Sequence, residues 1–221
     1  MNKTYLSLSD LQLKTFTEQD VLDYCLLNNI SSDIIEELWL QDNKLTDISG
    51  LKLFKNLKTL YLYNNKITDL SVLKDLKKLE LLNIYDNQIK DISILQYLTK
   101  LKSIFISDNK VTDISVLKNL NKLKDLDLNK NKITDISVIQ YLNLDYLCIG
   151  YNKITDISVI KKLKNLNFLD IQNLKLGSDR IEYIKSLKNL KHLYCYNGFK
   201  DMSVLKQLNK NIEIEKNIVN N

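Results

Sequence analysis

The chain has 221 residues, of which 44% are hydrophobic and 27% charged, and carries a net charge of +5. This is the composition of one large or two small folded domains rather than of a disordered segment, and so modest a charge matters less by its sum than by its distribution. With no proline and only four glycines there is no Pro/Gly linker between domains, and no apolar run approaches the length of a membrane span.

The first residues, MNKTYLSLSDLQLKTF, lack a continuous apolar segment and do not read as a secretory signal. Cys25, Cys148 and Cys195 are odd in number and scattered, which gives neither a disulfide framework nor a zinc spacing. The expectation is an intracellular protein, cytoplasmic or nuclear. Residues 1–34 read as an N-terminal cap. Thr17 is the expected N-cap of a helix in TEQDVLDYCLLNN, with Val21, Leu22, Cys25 and Leu26 placed to cover the coil that follows. The preceding YLSLSDLQLKTF is ambiguous between a short hairpin and a helix.

From Ile35 the chain repeats itself. IEELWLQDNKLTDISGLKLFKN is followed by LKTLYLYNNKITDLSVLKDLKK from Leu57, and units from Leu79, Leu101 and Leu123 keep the 22-residue step. The next unit, from Leu144, begins one residue early. A longer unit starts at Leu166, a shortened one at Leu190, and NIEIEKN closes the series. About eight repeats thus span 35–210, with a half-unit and tail at 211–221.

Numbered from its first residue, each of the six units from Ile35 to Leu144 is apolar at positions 1, 4, 6, 11, 14, 17 and 20 and has Asn at position 9. Alternation at 4 and 6 predicts a short strand with one buried face. The Asn column (Asn43, Asn65, Asn87, Asn109, Asn131, Asn152) sits where the chain turns inward, and its amides can satisfy backbone groups of adjacent coils. Thr and Asp of the TDIS phrase are good caps for the helical turns that return the chain along the other side. Stacked units share one core, so none is stable alone.

This pattern, L-x-x-L-x-L-x-x-N-x-I, resembles the short class of leucine-rich repeats. The NKITDIS phrase is similar to internalin-type repeats of bacterial surface proteins, which usually continue with Pro where Val72, Ile94, Val116, Val138 and Val159 stand here. The chain also resembles the leucine-rich regulatory subunit of type-1 protein phosphatase. Both resemblances imply an α/β solenoid: a curved right-handed superhelix with a parallel β-sheet on its concave side and short 3₁₀ or α turns on its convex side. Both also imply a protein partner held on the concave face, without saying which. The unit from Leu166 departs from the frame, since Leu174 replaces the Asn and residues are inserted. It predicts a break in the Asn column and a fuller helix near 179–187.

Residues at positions 3, 5, 7 and 8 face the concave surface. Adjacent strands lie about 4.8 Å apart, so Trp39, Tyr61, Tyr63, Tyr85 and Phe105 are expected to form one contiguous aromatic patch. Asp125, Asp127, Tyr146, Phe168, Asp170, His192 and Tyr194 extend the same face. Aromatic rings there read as interface residues, because Trp and Tyr bury large area at small entropic cost, although strand propensity alone also favours them. The concave side is acidic despite the basic total, so a basic protein surface is the matching partner and nucleic acid is disfavoured. Lysines crowd the edge where each strand begins (Lys58, Lys78, Lys102, Lys124, Lys191), and contact with nucleic acid or an anionic membrane through that edge is the alternative.

No phosphate-binding glycine loop or metal-ligand spacing is present, and no cofactor is expected. His192 and Cys148 stand two repeats apart, about 10 Å laterally, too far for a nucleophile and its base. The sequence therefore reads as a non-catalytic, monomeric interaction scaffold, with regulation of a phosphatase-like enzyme as one use of it, an internalin-like adhesion or host-interaction module being the other reading.

Overall fold

Leucines two residues apart, separated by outward-facing side chains, make each unit open as a strand of three residues. The computed structural model describes residues 4–216. Its strands are β1 (Tyr5–Ser7), β2 (Glu37–Trp39), β3 (Thr59–Tyr61), β4 (Leu81–Asn83), β5 (Ser103–Phe105), β6 (Asp125–Asp127), β7 (Tyr146–Cys148), β8 (Phe168–Asp170), β9 (His192–Tyr194) and β10 (Glu213–Glu215). They form one parallel sheet in chain order. The register keeps equivalent repeat positions side by side: Leu38, Leu60, Leu82, Ile104, Leu126, Leu147, Leu169 and Leu193 form one row. The chain is a leucine-rich-repeat solenoid.

Each coil returns through a 3₁₀ turn such as Ser71–Asp75, Ser93–Tyr97 or Ser115–Asn119. Asp at position 13, not Thr, sets these turns. Asp47, Asp69, Asp91, Asp113, Asp135 and Asp156 each accept a bond from the N–H of the serine two residues on, at 2.7–2.8 Å. The same N–H holds the carboxyls of Asp113 and Asp156 below the usual range. Between sheet and turns lies a continuous core. In the unit from Leu79, Leu79, Leu82, Ile84, Ile89, Ile92, Leu95 and Leu98 are at most 1% exposed, and burying each such side chain contributes about 1.5–3 kcal/mol.

The Asn column forms as expected. Asn109 donates through Nδ2 to the carbonyls of Ile84, Ile106 and Ser107, and its Oδ1 accepts from the N–H of Ile89 at 2.9 Å. Asn43, Asn65, Asn87, Asn131 and Asn152 repeat the arrangement. The column stops at Leu174, which is buried and has no side-chain acceptor. There the return segment becomes a 3₁₀ turn, Ser178–Arg180, running into helix α2 (Ile181–Lys185), the helix expected at this unit.

The N-terminal end differs from its reading in two respects. YLSLSDLQLKTF is neither hairpin nor helix: β1 pairs in parallel with β2, and Leu6 and Leu8 join the core, so this segment is a degenerate first coil. The helix α1 (Glu18–Asn28) has Thr17 as its N-cap, as expected, and the structure adds a capping box between Thr17 and Asp20. Of the four residues expected to cover the first coil, Val21 is buried and Cys25 partly so, whereas Leu22 and Leu26 are 52% and 84% exposed. The helix covers the first coil through a narrower stripe than its composition suggests. Gly50 makes that close approach feasible, because a Cβ there would lie 2.5 Å from the Thr17 carbonyl oxygen. The residues 217–221 of the expected tail lie outside the described residues.

Candidate functional site: the concave face of the sheet

In each three-residue strand the central side chain enters the core and its two neighbours stand on the opposite, concave face. Trp39, Tyr61, Phe105, Asp125, Asp127, Tyr146, Phe168, His192 and Tyr194 are all half-buried there, as are Tyr63 and Tyr85 just beyond the strands. Asp170 is the exception, at 3% exposure.

The rings fall into two groups rather than one continuous patch. In the first, Trp39 lies 6.0 Å from Tyr5 and 6.2 Å from Tyr61, and its Nε1 donates to Glu37. Burial pushes the Tyr61 phenol up, and the Glu37 carboxylate adds to it. Asn83 then interrupts the row, being register partner to both Tyr61 and Phe105. The second group centres on Phe168. It stacks on Tyr146 at 4.4 Å and 16° and meets Tyr194 at 4.9 Å and His192 at 6.2 Å.

Between Phe105 and this second group lies a depression of about 410 Å³. Tyr85 and Phe105 line one wall, Tyr146, Phe168 and Tyr194 the other, with Asp127 and Asp170 between them. Asp127 accepts from the Asn129 N–H at 2.9 Å and the Ser107 hydroxyl at 3.0 Å. Asp170 accepts from the Gln172 N–H at 2.8 Å, from Asn129 Nδ2 at 2.7 Å and from Gln172 Nε2 at 3.2 Å. Among the described residues neither carboxylate forms an ion pair; Lys130, at the rim, pairs with Asp108 at 3.6 Å. Burial therefore raises both Asp127 and Asp170 above the ordinary carboxylate value. Burial, followed by the fields of these two carboxylates, also pushes the Cys148 thiol well up.

The depression carries two residue types unusual for their backbone conformation. Position 8 of every repeat has a positive φ, and Asp42, Asn64, Asp86, Asp108, Asn173 and Asn197 supply side chains suited to it. Lys130 (φ 50°) and Tyr151 (φ 54°) do not, and both line the depression. Gly150 lets the next coil close in: a Cβ there would sit 2.9 Å from the Gln172 backbone and 3.0 Å from Asp170 Oδ1.

A leucine-rich-repeat profile of two copies matches residues 35–75, 55–97, 77–119 and 99–141. The structure superposes on an internalin (inlF) from Listeria monocytogenes with a TM-score of 0.78 and 33% identity, over 97% of this chain and 59% of that one. An internalin C2 from the same species matches at 0.74 and 32%, over 84% of this chain and 82% of that one. The chain belongs to the internalin-like leucine-rich-repeat proteins. A leucine-rich-repeat protein of Leptospira interrogans, at 24% identity and a TM-score of 0.71, covers 95% of this chain and 59% of its own, and shares the fold. No curated protein sequence matches the chain.

In this internalin-like sheet the sequence-derived candidates do not all converge. Phe105, Asp127, Tyr146, Phe168, Asp170, Tyr194 and Tyr85 meet at the depression. Trp39 and Tyr61 form the other group, with Tyr63 beside it. Asp125 lies outside the depression and accepts from the Ser103 hydroxyl at 2.7 Å. His192 turns to Glu213, with 3.0 Å between Nδ1 and Oε2. Cys148, Asp170 and His192 form no catalytic trio: the thiol is shifted away from the thiolate and the imidazole is engaged elsewhere. Asn129, Gly150 and Gln172 belong to the same part of the face and carry no motif in the sequence. Their only signal was their place in the position-7 row, and the bond from Asn129 across β7 to Asp170 has no sequence signature.

The edge where the strands begin is less basic than its lysines suggest. Lys58 and Lys102 pair with Glu36 and Glu80 at 2.8 and 2.5 Å, and Lys124 lies 3.8 Å from Asp145. A larger depression of about 680 Å³ opens on this side of the last coils, lined by Lys185, Lys188 and Lys191 among asparagines and leucines, without a ring or a carboxylate. Among the described residues no helix is long and apolar enough to cross a membrane.

Proposed function

We propose that the chain is a non-catalytic scaffold that holds a protein partner against the concave face. One observation carries this reading: the sheet presents half-buried rings and carboxylates in two groups on the side that the shared core does not use. Clustered aromatic side chains on a rigid surface are the typical energetic centre of a protein interface. The acidic character of that face disfavours a polyanion and favours a basic partner surface.

The similarity to two internalins favours an adhesion or host-interaction module over regulation of a phosphatase-like enzyme. Against it stand the three free cysteines, which suit a reducing compartment. The scaffold reading is common to both.

Affinity capture with the wild type, the Tyr61→Ala/Tyr63→Ala/Tyr85→Ala variant and a convex control, Tyr141→Ala, tests it. Tyr141 is 64% exposed on the 3₁₀ turn Ser137–Tyr141. A protein held by wild type and control but lost by the folded triple variant supports concave binding. Equal retention by all three, or loss from the control, overturns it.

A further inference from the structure

A carboxylate offers about four acceptor positions. Asp127 fills two of them and Asp170 three, all with neutral donors. The Asn129 side-chain amide is oriented by its own contacts, since Nδ2 must face the Asp170 carboxylate. Its Oδ1 is buried and without a hydrogen-bond partner among the described residues. The floor of the concave depression thus has a surplus of acceptors, two negative charges and no paired cation. Its walls are aromatic, the Tyr146–Phe168 stack being continued by Tyr194. A neutral or anionic group entering here leaves the charges uncompensated.

We propose that this depression between β5 and β9 receives the guanidinium of an arginine side chain projecting from the protein partner. This rests on the concave-scaffold reading and deepens it by naming the chemistry of the contact. Three properties favour guanidinium over ammonium. It is planar and stacks on aromatic faces, it presents five donors in a fixed fork to an acceptor-rich floor, and it loses less hydration on burial. Lys130 does not meet this need from within, since it lies at the rim with its ammonium directed to Asp108. The surrounding coil is shaped for close approach: Gly150 removes the side chain that would hold Gln172 and Asp170 away. The left-handed backbone at Lys130 and Tyr151 is local strain of the kind that concentrates at binding sites.

The test is NMR titration of the folded full chain with Nα-acetyl-arginine methylamide, its lysine counterpart and its neutral citrulline isostere. The arginine probe is expected to shift the Asn129 side-chain amide and the Gly150 backbone amide. The lysine probe should bind more weakly and the citrulline probe should leave both signals in place. Asp127→Asn keeps an acceptor for the Asn129 N–H and a partner for Ser107, and should weaken arginine binding about tenfold or more. Asp42→Asn, at the far end of the face, should not change it. Equal shifts from arginine and citrulline, equal binding of lysine, or full binding by Asp127→Asn overturns the proposal. If the triple tyrosine variant loses a partner in the capture experiment while the arginine probe fails to bind, the scaffold reading stands and the guanidinium site alone falls.

Discussion

Asn109 shows what one residue contributes to this fold. Four bonds converge on its amide inside the coil turn, and alanine leaves their backbone partners buried and unpaired. Asn109→Ala is expected to cost at least about 1–3 kcal/mol, the penalty of one such orphan, read as a lowered urea midpoint. Asp127 works in the opposite direction. Its native carboxyl titrates above the ordinary value because of burial, so between that value and the higher native one the folded chain holds more protons than the unfolded chain. Its contribution to stability is full below the ordinary range and is lost as pH rises through the native value. Asp127→Asn should therefore be more stable than wild type at neutral pH, with the gap closing below about pH 4. Melting curves across pH check this, and a gap that widens in acid contradicts it. The gain would accompany loss of arginine binding, a trade of stability for recognition.

At the scale of the single coil, sequence and structure agree where local chemistry repeats. The Asn at position 9, the Asp–Ser turn at 13–15 and the strand leucines were legible because each obeys the same local rule in successive units. The N-terminal segment was not legible, because Leu6 and Leu8 reach the core through the pairing of β1 with β2, a partner that no local pattern names. The outward Leu22 and Leu26 of α1 were misplaced for the same reason: helical periodicity allows them to face inward, but the stripe that the first coil accepts is narrower. The β7 coil shows how finely fit is set. Gly150→Ala places a methyl against the Gln172 backbone and Asp170, and overpacking of this kind costs about 1–3 kcal/mol. The variant should melt earlier and also lose affinity for the arginine probe. Unchanged melting and binding would mean that β8 yields without strain.

For the whole molecule, the rows of rings and acids on one face could be read from the repeat frame, since the register is uniform from β2 to β9. What could not be read was their division. Strand spacing alone puts Trp39 to Phe105 together. The structure instead gathers Phe105 with rings two to four strands further on, around a hollow shaped by Gly150 and by the bond from Asn129 to Asp170.

That bond joins coils that are not neighbours. Most of the solenoid can be described as a string in which each coil speaks only to the next, so that loosening travels from either end one step at a time. Asn129 reaches over β7 to Asp170, 41 residues away. The coils of β6, β7 and β8 are thereby tied into one block, and fraying that enters from the irregular C-terminal units meets three coils that must open together. Inserting or deleting one whole repeat between β6 and β8 would keep every leucine in its row and still break the tie: the scaffold counts in any number of units, the hollow only in this one.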